Sequence, residues 1–315
     1  MKELIIATRG SKLALWQSEY IKAKIEKRYP DIRVKLNIIK TKGDKILDTP
    51  LAKIGGKGLF TKELEEAMLG GEAHIAVHSL KDVPVVFPDG LKLGAVTKRE
   101  DVRDAMLSEK YSNIKALPKG AVVGTTSLRR RMQLLHARPD LIIKSLRGNI
   151  NTRIDKLKNG EFDAIILAVA GVKRLGLESE TRYFSPMSID FMIPAMGQAA
   201  LGIEAVDELE ILETICFLND ERAIIETKVE RDFVEKLEGG CQVPIGVNAE
   251  LNGNTLNISG VVGLPDGKEL LHVKIETVKN AYKTAGLDLA DTIIKKGAKE
   301  VLKRAEKMAL ETIFG

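Results

Sequence analysis

Residues 4–25 read LIIATRGSKLALWQSEYIKAKI. Leu4-Ile5-Ile6-Ala7 is a short continuous apolar run, the pattern of a strand covered on both faces. Thr8-Arg9-Gly10-Ser11 then turns the chain into a helix with Leu15, Ile21 and Ile25 on its inner side. A buried strand that runs straight into a helix predicts parallel strands joined by helical crossovers. The pattern continues through the alternating Val34, Leu36 and Ile38, through His74–His78, and through Leu91–Val96. After the charged connector KREDVRD (98–104) it restarts. Val122-Val123-Gly124 leads into GTTSLRRR, Leu141–Leu146 into LRGNINTR, and Ala164–Ala168 into VAGVKR. Leu201–Ala205 has the composition of a strand rejoining the first sheet.

The expected fold class is α/β: two doubly wound, periplasmic-binding-protein-like lobes with a cleft, plus a C-terminal α+β domain. Domain 1 is discontinuous (1–98 and 196–218), domain 2 spans 99–195, and domain 3 spans 219–315. In the final hundred residues, helical stretches at 207–218 and 220–238 precede strands with Asn252-Gly253 and Asp266-Gly267 turns. A long helix is expected near 286–311. The glycine-rich, charged stretch 41–58 reads as a lid loop.

Composition narrows the class. The chain has 315 residues, 44% hydrophobic and 30% charged, as in a soluble globular protein. No apolar run approaches the ~20 residues of a membrane span. The N-terminus lacks a secretory apolar region, so a cytoplasmic location is expected. Cys216 and Cys241 give neither a disulfide framework nor a zinc set. A net charge of +5 is too mild to argue for nucleic acid, and Arg129-Arg130-Arg131 has no interleaved aromatics. His74 and His78, four apart on a strand, stand some ~13 Å from each other, too far for one ion. No metal is expected.

Arginine recurs at the strand-to-helix turns: Arg9, then Arg129 and Arg130, then Arg147 and Arg153, then Arg174. In open parallel sheets such turns lie where ligands bind, and each offers the N–H groups of a helix start beside Ser11, Ser127 or Thr152. One such arginine is as often a solvated helix residue; the repetition favours a ligand with several negative charges. No GxxxxGK[ST] loop points to a nucleotide phosphate. Asp82, stiffened by Val83-Pro84, ends an apolar strand on the same side; alone it would read as a cap or as a partner of Lys81.

The stretch 230–246, ERDFVEKLEGGCQVPIG, ends a helix in paired glycines and sets Cys241 on a loop. An accessible thiol or a small apolar filler would both suit that place.

Taken together, ATRGSKLALWQ, KGLFTKELEEAML, AVHSLKDVP, GTTSLRRR, LRGNINTR, AGVKRLGL and ERDFVEKLEGGCQVPIG resemble the porphobilinogen deaminases, the hydroxymethylbilane synthase family. The resemblance covers nearly the whole chain. It implies a transferase of porphyrin biosynthesis that joins four porphobilinogen molecules head to tail, with loss of ammonia at each step. The linear hydroxymethylbilane is then released by water and passes to uroporphyrinogen-III synthase. It implies a dipyrromethane cofactor on a thioether to Cys241 and a proton-handling, charge-stabilising Asp82. Arg9, Ser11, Lys81, Ser127, Arg129, Arg130, Arg147, Arg153 and Arg174 are implied to bind the acetate and propionate groups. Phe60 and Gln198 are expected as further lid or cleft residues, and the enzyme as a monomer. A carboxylate is ionised at neutral pH and burial moves it toward proton transfer, so burial of Asp82 is expected. Gly10 stands where the family commonly has a larger polar residue, and Ala199 where it commonly has glycine. Two rivals are a two-lobed anion receptor, which has no use for Cys241, and a cysteine acyl transferase, which needs a base that the sequence does not show.

Overall fold

The computed structural model describes residues 1–45, 61–238 and 243–314, and only the backbone of residues 44, 45 and 310–314. The chain opens with β1 (Glu3–Arg9), α1 (Lys12–Arg28), β2 (Arg33–Ile39), α2 (Lys42–Lys45), α3 (Lys62–Leu69), β3 (Ile75–Ser79) and β4 (Leu91–Val96). It continues through β5 (Asp104–Ser108), β6 (Val122–Gly124), α4 (Leu128–Ala137), β7 (Ile142–Lys144), α5 (Ile150–Lys158), β8 (Ala164–Ala168), α6 (Val169–Arg174) and β9 (Tyr183–Pro186). Next come β10 (Leu201–Val206), α7 (Leu209–Ile215) and α8 (Glu221–Lys236). The last elements are β11 (Ile245–Asn252), β12 (Thr255–Gly263), β13 (Leu270–Val278), α9 (Tyr282–Lys295) and α10 (Ala298–Phe314).

These elements form two compact units. Unit 1 takes its described residues from 1–45, 61–100 and 199–224, and unit 2 from 101–198 and 225–314. Unit 1 holds a five-stranded sheet in the order β2-β1-β3-β10-β4. The apolar run read first is its centre: Leu4 and Ile6 are fully buried, with Ile21 and Ile25 of α1 packed over them. β1 is parallel to β2 and β3, as expected, but β10 is antiparallel to both β3 and β4. The sheet is therefore mixed rather than wholly parallel. Parallel neighbours need a long crossover connection, usually a helix, and β10 arrives by the non-helical segment 187–200.

Unit 2 repeats the plan in a sheet ordered β7-β6-β8-β5-β9. β6 is parallel to β7 and β8, and β5 is antiparallel to β8 and β9. β5 occupies the place that β10 holds in unit 1. It begins at Asp104, the last residue of the stretch expected to be only a connector. Unit 2 also carries the antiparallel sheet β11-β12-β13. Phe233 of α8 is fully buried against it, filling the space over Gly260. Glu230 of the same helix, also fully buried, accepts from Gly197 N at 2.7 Å and from Ala249 N at 2.9 Å. It thereby satisfies two backbone donors that would otherwise be stranded. The long helix expected near 286–311 is two helices, because Gly297 takes φ +98°, a left-handed turn that stops α9. Thr61 precedes α3 without a side-chain cap to it, because its own backbone is already helical.

Ala199 has φ +76°, a conformation that costs a residue with a Cβ roughly 1–2 kcal/mol. Ala199→Gly is expected to stay within about 1 kcal/mol of the parent in urea unfolding, relief of strain offsetting lost methyl burial and added chain entropy. Ala199→Val is expected to lose about 2 kcal/mol or more. Equal losses in the two variants would assign the cost to packing rather than to the backbone.

Candidate functional site

Unit 1 places Arg9, Ser11 and Asp82 around one open pocket of about 90 Å³, together with Thr61 and His78. Arg9 ends β1, and Ser11 caps α1 by accepting from Ala14 N at 3.3 Å. A hydroxyl that accepts a cap bond keeps a proton to donate to a ligand oxygen. Lys81 and Asp82 lie in a single 3-10 turn, Leu80–Asp82, directly after β3. That turn is pinned from below by Leu80 and Val83, both fully buried. Asp82 itself is exposed, so the burial expected for it is not supplied by the residues of unit 1. Gln17 of α1 donates to Ser79 Oγ at 2.9 Å and fixes the wall between helix and strand.

The predicted residues of unit 2 form two groups. Ser127 caps α4, and Arg129 and Arg130 follow it inside the helix. These two arginines, expected to meet ligand carboxylates, are 4% and 7% exposed and share Asp104, itself fully buried. Arg130 donates to Asp104 Oδ1 through Nε at 3.1 Å and Nη2 at 2.7 Å, and through Nη1 to Ile166 O at 2.9 Å. Arg129 Nη1 lies 2.7 Å from Asp104 Oδ2, an ion pair short of a directed hydrogen bond, and donates to Ile193 O at 2.7 Å. Gln198 Nε2 completes the cluster, reaching Asp104 Oδ1 at 3.2 Å and Val102 O at 2.7 Å. Two cations and one anion leave a net positive charge. Burial alone would push the Asp104 carboxyl up, but the two guanidinium groups outweigh it and hold the carboxyl well below its usual range.

The second group surrounds the turn after β7. Arg147 precedes it and Arg153 sits in the first turns of α5, with Nε donating to Gly148 O at 2.8 Å. Gly148 has φ +108°, and a Cβ there would lie 2.9 Å from the Thr152 side chain, so only glycine permits this turn. Arg174 closes the short helix α6 rather than opening it. Arg147, Arg153 and Arg174 are all half-buried. Cys241, Phe60 and residues 46–58 of the expected lid lie outside the described residues.

The sequence reading missed Asp104, hidden in a run of charges, and the buried pair His78 and Glu204. The only signal for Asp104 was the apolar Ala105-Met106-Leu107 after it, which makes it the first residue of a strand.

Two family models match the chain. Residues 4–213 match the model described as "Porphobilinogen deaminase, dipyromethane cofactor binding domain", and residues 224–295 the "Porphobilinogen deaminase, C-terminal domain". The porphobilinogen deaminase of Campylobacter concisus is 63% identical over 309 residues, covering 98% of this chain and 100% of that protein. That of Sulfurimonas denitrificans is 62% identical over 309 residues, covering 98% and 99%.

Asp104→Asn leaves two buried guanidinium groups without their anion and is expected to destabilise unit 2 by about 3–5 kcal/mol at neutral pH. Because the folded carboxyl is held low, its contribution is fully present above the ordinary aspartate value of 3.8 and is lost as pH falls below it. Unfolding followed from pH 7 downward is thus expected to show an acid-dependent fall below that value in the parent that is smaller in Asp104→Asn. Identical acid profiles would contradict the assignment.

Proposed function

The chain belongs to the porphobilinogen deaminase family, and we propose that it works as a hydroxymethylbilane synthase. It joins four porphobilinogen molecules head to tail on a primer held by the protein, releases one ammonia for each, and frees the linear tetrapyrrole by hydrolysis. The observation that carries this reading is the single pocket shared by Arg9, Ser11 and Asp82, within the segment that matches the cofactor-binding domain.

The donor set fits a dipyrromethane. Each pyrrole of that group bears two carboxylates, and the positions available to them are guanidinium groups, a lysine and the capped start of α1, all of which favour anions. Cys241 would hold it through a thioether; Arg9, Lys81, Arg147, Arg153 and Arg174 would bind carboxylates. Arg129 and Arg130 add the net positive charge of their triplet with Asp104. When bound, the group supplies the pyrrole carbon to which the first substrate is joined.

Asp82 does the charge work. Departure of ammonia from the substrate's aminomethyl group leaves a cationic pyrrole, and a fixed carboxylate is the dipole that stabilises positive charge there. Held by the turn above Leu80 and Val83, it spends no energy on reorientation as the charge develops. Ser11 and Arg9 restrain the substrate carboxylates, so that the reacting carbons meet without a second orienting step.

Among the described residues no helix is long and apolar enough to cross a membrane. The enzyme is read as a cytoplasmic monomer whose product goes to uroporphyrinogen-III synthase. An anion receptor would share the arginines but leaves the match to both family models without a reason.

Purified protein supplied with porphobilinogen is expected to release four ammonia per hydroxymethylbilane; binding without turnover would favour the receptor. Asp82→Asn is expected to fold, carry cofactor and lose roughly 100-fold or more in kcat, and near-normal turnover would remove Asp82 from the mechanism. Cys241→Ala is expected to lack the covalent group and to be inactive; full turnover by it would contradict the tether.

A further inference from the structure

Beneath the Asp82 pocket lies a group of ionisable side chains that the mechanism above does not use. His78, on β3, lines the pocket, and its ring is otherwise buried. Its Nε2 stands 3.1 Å from Glu204 Oε2 on β10. Glu204 is fully buried, and its Oε1 has no hydrogen-bond partner among the described residues. Glu65 of α3, 9% exposed, likewise has an unpartnered Oε1. Burial, reinforced by the neighbouring Glu204, pushes the Glu65 carboxyl above its ordinary range.

The backbone is shaped around this pair. β3 and β10 set Gly202 opposite His78 and Glu204 opposite Ala76, so the two side chains come from offset rungs of the ladder. The pairing of β10 with β4 slips between Ile203 and Glu204. Such an irregularity turns a side chain away from its regular direction, and bulges gather beside active sites for that reason. Burying two carboxylates beside one imidazole, with an oxygen of each unsatisfied, is costly for a purely structural contact. A pair meant only to hold β3 to β10 would be served better by apolar residues.

We propose that His78, clamped by Glu204, is a second proton-handling residue of this pocket; the proposal rests on the synthase reading above. Glu204 Oε2 accepts from Nε2–H and so fixes the tautomer. Nδ1, which has no hydrogen-bond partner among the described residues, is left as the atom that takes up and gives back a proton. When the bond forms between the substrate's methylene carbon and the free α carbon of the other pyrrole, the C–H bond on that ring carbon breaks and its electron pair restores the aromatic ring. Nδ1 accepts that proton and passes it to the ammonia already expelled from that methylene, which leaves the site as ammonium. The charged groups around the ring are Glu204 from β10, Glu65 from α3, Arg9 from β1 and Asp82 from the turn after β3. The pocket residues given by α1 (Leu13, Ala14 and Gln17) carry no charge.

The test has an arm that does not depend on turnover. In 15N-labelled holoenzyme, the His78 ring signals are identified by their loss in His78→Gln, against the three other histidines. The proposal expects the proton on Nε2 and a bare Nδ1, with that preference lost in Glu204→Gln. A proton on Nδ1, or ring signals unchanged in Glu204→Gln, would overturn it. In the second arm, kcat is followed against pH with porphobilinogen. His78→Gln is expected to fall roughly 100-fold and to lose one limb of the parent profile, while mass shows the cofactor in place. A profile of unchanged shape would reduce the pair to a strut between strands. An inactive parent enzyme would instead defeat the synthase reading and leave the tautomer result standing.

Discussion

A charge withdrawn from water must meet its opposite, and this requirement arranges unit 2. Asp104, fully buried, accepts two guanidinium groups from consecutive residues of α4. Each arginine then reaches onward, Arg130 to Ile166 O on β8 and Arg129 to Ile193 O. The Ile193 peptide is held again by Gln133, whose Oε1 accepts from its N–H and whose Nε2 donates to its carbonyl. Pro194 O accepts from Val247 N of β11 at 2.9 Å. One carboxylate thus ties β5, α4, β8, the chain leaving the sheet and the start of the third sheet. Removing it would strand two cations, a larger loss than any one bond it makes.

Unit 1 manages charge in another way. Its pocket is lined by Arg9, Asp82 and His78, and Glu204 and Glu65 are buried near the His78 ring without lining it. Arg9 and Asp82 suit a substrate that arrives with carboxylates and an ammonium group. His78 and Glu204 sit on strands and Glu65 on a helix, where side-chain positions are held more firmly than on loops, and Glu204 stands at a slip in the ladder. A reaction that expels ammonia and loses a ring proton at each addition needs places to hold protons for a moment, and one exposed carboxylate is a narrow provision for that.

Much of this was legible before any coordinates. The run 4–7 named a doubly covered strand, and Leu4 and Ile6 are fully buried. The restart after residue 104 named a second sheet, and the motifs along the chain named the family. Three features were hidden for physical reasons. Strand direction is not written in periodicity, so the antiparallel entries of β5 and β10 could not be read. Arg129 and Arg130 stand at a helix start like the other arginines, and only their buried partner on a distant strand separates them from the rest. His78 and Glu204, 126 positions apart, each look like ordinary strand residues until the sheet brings them together.

The proposed function turns on Cys241 carrying a pyrrole primer on which substrate is condensed. Intact mass of the purified protein, before and after addition of porphobilinogen, tests it most directly when combined with a peptide map across residues 238–246. The claim predicts a mass excess equal to two linked porphobilinogen-derived pyrroles, confined to the peptide with Cys241, and heavier species spaced by one such unit when substrate is added. A mass equal to that of the bare chain, unchanged by porphobilinogen, would contradict it.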